Sequence, residues 1–143
     1  MLVTPQPKLF WIGVLLYLVS FFVVAVAGVQ TSSGGPAFGF DCAFTTLLFS
    51  WEQVKAFAHG LHAISRPLEY FSFLVSGWIN PLFLAFIVIA ARGGKTKRGT
   101  FLRAAILLIA PFCWVVFYYE HLYPREGYFL WIIGILLALF TVN

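Results

Sequence analysis

The chain has 143 residues, one domain's worth, of which 62% are hydrophobic and 10% charged, against ~45–50% and ~25% in soluble proteins. A soluble fold of this size cannot bury so much apolar surface, so an ordinary globular enzyme domain is excluded and lipid becomes the expected solvent. The net charge of +4 is not gathered into a basic patch interleaved with aromatics, and nucleic acid is not an expected partner.

The first apolar run is Leu9 to Val29, without a charge. At 1.5 Å per residue its roughly 21 residues reach ~31 Å, enough for a hydrocarbon core of ~30 Å. Lys8 in front and Ala25-Val26-Ala27 behind imitate a signal peptide, but the run exceeds the usual ~7–15 residues, so an uncleaved first span is expected over 9–29. Gln30 to Pro36 reads as a polar Gly/Pro loop.

The next stretch departs from that pattern. Phe38 to Trp51 is apolar but short and contains Asp41, which suits an interfacial or re-entrant segment. From Glu52 to Arg66 the spacing is helical, with Phe57, Leu61, Ile64 and Leu68 on one stripe and Glu52, Lys55, His59, His62 and Arg66 on the other. That pattern predicts an amphipathic helix on the external membrane surface, ended by Pro67.

The second span is expected over 68–91, kinked at Pro81, where a proline removes one backbone hydrogen bond. A basic turn over 92–100 follows, then a third span over 101–119 with a kink at Pro111. Glu120 to Gly127 forms a polar turn before a short fourth span over 128–142. The expected fold is therefore an all-α four-helix membrane bundle, one domain over 1–143, with external segment 30–67.

Charge sets the orientation. Lys8, Arg92, Lys95, Lys97, Arg98 and Arg103 fall on one side of four spans; Lys55, Arg66 and Arg125 fall on the other, together with all five acids. The positive-inside rule then puts turn 92–100 and both termini in the cytoplasm, as in a bacterial inner membrane.

Few residues suggest chemistry. His59 and His62 with Glu52 form a weak metal candidate, since imidazoles one turn apart can converge. Gly60 softens that helix, and polar-face residues at headgroup level explain the pair more simply. No histidine lies deep in a span, which argues against axially ligated haem. Ser72, Ser76 and Asn80 continue from Glu69 at spacings of four and form an intramembrane polar stripe, either glue between helices or a path to the Pro81 kink. Gly134 and Ala138 make a small-xxx-small pair for close packing. Cys42 and Cys113 lack a CxxC context and are expected as separate thiols.

These features fit a non-catalytic polytopic membrane protein, an accessory, scaffold or assembly subunit of a larger membrane complex. Its partners would be the bilayer and other membrane subunits, or further copies of itself, with Lys55, His59, His62 and Arg66 as a docking stripe. No cofactor is expected, but bound lipid is. The alternatives are a small transporter, channel or ligand-binding bundle using the Ser72–Asn80 stripe, and a metal- or redox-linked membrane protein.

Overall fold

The computed structural model describes residues 7–27, 36–59, 67–93 and 96–142, and helices make up 81% of these. Helix α1 (Lys8–Ser20) starts after Pro7 and ends within 13 residues. The helix expected over 9–29 is therefore shorter than its apolar run. Beyond Ser20 the sequence Phe-Phe-Val-Val-Ala-Val is β-branched and aromatic, a composition that favours extended backbone. Strand β1 (Val24–Ala27) forms there.

Strand β1 is the centre of a small antiparallel sheet in the order β2–β1–β3. Strand β2 (Ala37–Phe38) pairs Val24 with Phe38 and Val26 with Ala37, across a bulge. Strand β3 (Tyr123–Pro124) pairs Val26 with Pro124 and Ala27 with Tyr123. Pro124 lies on an edge strand, where its missing N–H is tolerated. The sheet thus ties the end of α1 to the connection between the last two helices.

Helix α2 (Gly39–Ala58) is one continuous element of 20 residues. This corrects the division into a short apolar segment over 38–51 and a separate amphipathic helix over 52–66. Only Glu52 to Ala58 of the proposed second piece belongs to α2; residues 60–66 lie outside the described ones. Phe57 is exposed rather than packed inward. Phe40, Phe44 and Leu48 form an exposed apolar row along α2, and Lys55 pairs with Glu52 at 2.6 Å near its C-terminal end.

Helices α3 (Pro67–Ser76) and α4 (Ile79–Gly93) share one apolar run but break at Gly77-Trp78. The break has a local cause. In a continuous helix the Gly77 N–H would bond the Phe73 carbonyl. Instead, Ser50 of α2 enters that gap: its Oγ accepts from Gly77 N at 3.0 Å and donates to Phe73 O at 2.6 Å. Pro81 has no N–H to offer the Gly77 carbonyl, so the next rung is missing as well. The kink expected at Pro81 therefore lies about a turn earlier, and Pro81 sits in the first turn of α4, where proline is tolerated. A Cβ on Gly77 would overlap Ser50 Oγ and the Thr46 carbonyl, so only glycine admits α2 this closely.

Helix α5 (Lys97–Tyr119) is N-capped by Thr96, whose hydroxyl accepts from Gly99 N at 3.0 Å. It runs through Pro111 without ending. Its C-terminus closes in a Schellman motif: Leu122 N donates to Phe117 O at 2.9 Å and His121 N to Tyr118 O at 3.4 Å. His121 takes the left-handed position, with φ 53°. Helix α6 (Glu126–Thr141) then returns antiparallel to α1. Gly13 and Gly134 face each other, and a Cβ on either would lie about 2.7 Å from the other helix's backbone. The small-residue pair therefore packs within the chain. Around it Phe10, Tyr17, Phe83, Ile106, Ile135 and Leu139 are almost completely buried and form the core.

By length and composition, two helical segments are long enough to cross a membrane: Pro67–Arg92, counted across its break, and Lys97–Tyr119. Helices α1 and α6 are apolar but shorter, at 13 and 16 residues. Much of this apolar material faces outward. In the most apolar 18-residue window of α5 only 11% of residues are buried.

Candidate functional site: a cavity beneath the sheet

Asn80 joins three helices. Its side-chain oxygen accepts from Trp131 Nε1 of α6 at 2.8 Å and from the Tyr17 hydroxyl of α1 at 3.2 Å. An amide oxygen has two lone pairs, so both donors are satisfied by one acceptor. This arrangement is helix–helix glue at one member of the polar stripe. Ser72 behaves differently: it is fully buried and its Oγ donates to Leu68 O in its own helix at 2.7 Å.

Ser76 and Asn80 line a half-open cavity of about 80 Å³ next to the sheet, walled by residues of all six helices and by Ala25 and Val26 of β1. Cys42, Thr46, Cys113 and Tyr128 reach the same space. Among the described residues, no carboxylate, imidazole, ammonium or guanidinium lines it. Its polarity therefore comes from hydroxyl, thiol and amide groups. Thr46 satisfies itself by donating to the Cys42 carbonyl at 2.7 Å. Two other hydroxyls do not: Ser76 Oγ and Tyr128 Oη are buried without a hydrogen-bond partner. Leaving such a group unpaired costs about 1–3 kcal/mol, and with under 1 Å² of accessible surface each hydroxyl lies behind the cavity wall rather than open to it.

Tyr128 is held firmly. Its ring lies 4.8 Å from Phe117, 5.5 Å from Trp131 and 5.6 Å from Trp114, centroid to centroid. Cys42 and Cys113 are both free thiols. Burial, and then the Asp41 charge, push the Cys42 thiol up to about 11. It therefore stays protonated at neutral pH and is a poor nucleophile.

The remaining candidates are scattered. Lys55, His59 and Glu52 are exposed on the C-terminal half of α2, while His62 and Arg66 lie outside the described residues. Among the described residues no group of three or more His, Cys, Asp or Glu side chains could hold a metal. Tyr128 and Thr46 were not anticipated as site residues. Tyr128 reads from sequence as an interfacial aromatic, and only the return of α6 beneath β1 turns it inward.

No family model, no curated protein and no solved structure matches this chain.

Proposed function

We propose that the chain is an integral membrane protein of four spans, with both termini in the cytoplasm, acting as a non-catalytic ligand-binding bundle. The observation that carries this reading is the mainly apolar cavity between the helices, with the Asn80 amide and the Cys42 and Cys113 side chains along its wall, the usual form of a small-molecule site. The outward apolar surface supports the membrane, because an apolar helix with so little burial is stable in lipid and sticky in water.

Four spans remain consistent with short helices if β1 completes the first. Thirteen helical residues give ~20 Å, and four extended ones add ~13 Å. Pairing on both sides of β1 satisfies the backbone that lipid cannot. Span two is then α3–α4, span three α5 and span four α6, with six cations inside and three outside.

The test is isolation from the native membrane in mild detergent, followed by mass spectrometry of what remains bound. A stoichiometric small molecule, lost when Tyr128→Trp narrows the cavity, is the expected result. Protein subunits in its place favour a second reading, an accessory or assembly subunit. The observation behind that reading is the exposed Phe40–Phe44–Leu48 row leading to exposed Lys55 and His59. In that case Lys55→Glu with Arg66→Glu should release the partner and leave the bundle intact.

A further inference from the structure

Resting only on the membrane-spanning part of that reading, we propose that the end of the bundle where α4 passes to α5 binds an anionic phospholipid. Its phosphate is held by Arg92, Lys97 and Arg98, and an acyl chain lies along the outer face of α5. Four helix ends meet there. The start of α1 lies against the end of α6 through Gly13 and Ala138, and α4 lies against α5 where Ile89 faces Gly99. Arg103 of α5 places its guanidinium 4.8 Å from the ring centre of Phe140 in α6 and is thereby engaged. Arg92, Lys97 and Arg98 are not: all three are exposed and make no ion pair among the described residues. None of the five acids belongs to this end, because Asp41 and Glu52 lie on α2, Glu69 at the start of α3, and Glu120 and Glu126 where α5 ends and α6 begins. Lys97 and Arg98 also occupy the first turn of α5, where the helix dipole disfavours a cation. The charge is therefore unanswered within the chain.

The apolar half of the site follows from α5. Counting from Arg98, positions 101, 104, 108 and 111 recur every three or four residues and share one face of the helix. Phe101, Ala104, Leu108 and Pro111 are all exposed, Phe101 and Leu108 to 71% and 73%. The small Ala104 between two large side chains leaves a shallow notch in the row. The 13 steps from Arg98 to Pro111 rise ~20 Å, more than the ~15 Å of hydrocarbon in one leaflet. A phosphate at the cations thus brings its acyl chain onto this row. Free phosphate answers the cations and leaves the row bare. A zwitterionic lipid covers the row, but its own ammonium already neutralises its phosphate. An anionic lipid does both.

Native mass spectrometry of the full chain in mild non-ionic detergent, with dioleoylphosphatidylglycerol or dioleoylphosphatidylcholine added, tests this. Phosphatidylglycerol should bind about tenfold more tightly, since each cation near an anionic headgroup adds attraction, and excess inorganic phosphate should not displace it. Replacing Arg92, Lys97 and Arg98 together by Gln should bring it down to the level of phosphatidylcholine. Lys55→Gln with Arg125→Gln, at the other end, should leave the preference intact. Ala104→Trp keeps every charge, and with it the insertion signal, but fills the notch and should weaken both lipids. Equal binding of the two lipids, a preference that survives the triple variant, displacement by phosphate, or no effect of Ala104→Trp overturns the site. The membrane reading is checked apart from it on the same sample. A chain that reconstitutes into phosphatidylcholine vesicles yet shows no preference loses only the lipid site; one that stays folded and dispersed without detergent loses both.

Discussion

Ser50 stands in for a missing rung of backbone. Its hydroxyl completes the bond that Gly77 N and Phe73 O cannot make across the break between α3 and α4. Ser50→Ala should destabilise the protein by about 1–3 kcal/mol, because two buried backbone groups lose their partner. Gly77→Ala should do at least as much damage through overlap with α2. Both are read as shifts of the thermal unfolding midpoint in detergent. His121 offers the opposite sign. It holds a left-handed conformation that costs an L-residue roughly 1 kcal/mol, so His121→Gly should raise the same midpoint by a few degrees. At this scale the sequence was partly legible. Asn80 was marked as a polar residue with work to do between helices, but its partners Tyr17 and Trp131 lie 63 and 51 positions away. No local spacing encodes such a pairing. Pro81 pointed to a kink, while the serine that shares in it sits on another helix.

Among the elements, α1 and α6 make the most extensive contact, meeting backbone to backbone at Gly13 and Gly134. In lipid, apolar side chains gain little from leaving their surroundings, so close approach and dispersion supply the attraction. Gly134→Leu should force the two helices apart and cost about 1–3 kcal/mol or more, whereas Leu136→Ala, on a more exposed face of α6, should change little. Unfolding in a graded mixture of mild and ionic detergent separates the two. The small-xxx-small spacing of Gly134 and Ala138 announced such a contact in advance. The end of α1 was not readable, since Phe21 to Ala27 is as apolar as the helix before it, and hydropathy cannot tell strand from helix when both are buried. The length of α2 was hidden for the reverse reason. Asp41 and Glu52 break its apolar pattern, yet a helix can carry them on an exposed face.

For the whole molecule, sidedness is the first thing to measure. With Cys42 and Cys113 replaced, single cysteines at 31–35 and 121–126 should react with an impermeant reagent in intact cells, and those at 95–97 should not. Labelling at 95–97 would invert the topology and with it the side from which the cavity is reached. Composition carries the presence of long apolar helices, which is why that much could be read early. The cavity could not, because its lining gathers from residue 20 to residue 131 and exists only once the ends of the chain meet. The central position of β1 also has a consequence for biogenesis. One neighbour of β1, at Ala37–Phe38, follows almost at once, but the other, at Tyr123–Pro124, arrives only after about a hundred further residues have been synthesised. Until then one edge of β1 stays open, a template for any stray strand. A nascent chain stalled before residue 120 should therefore be captured by membrane chaperones and proteases far more readily than one stalled just beyond β3, a contrast that arrested-ribosome pulldown can measure.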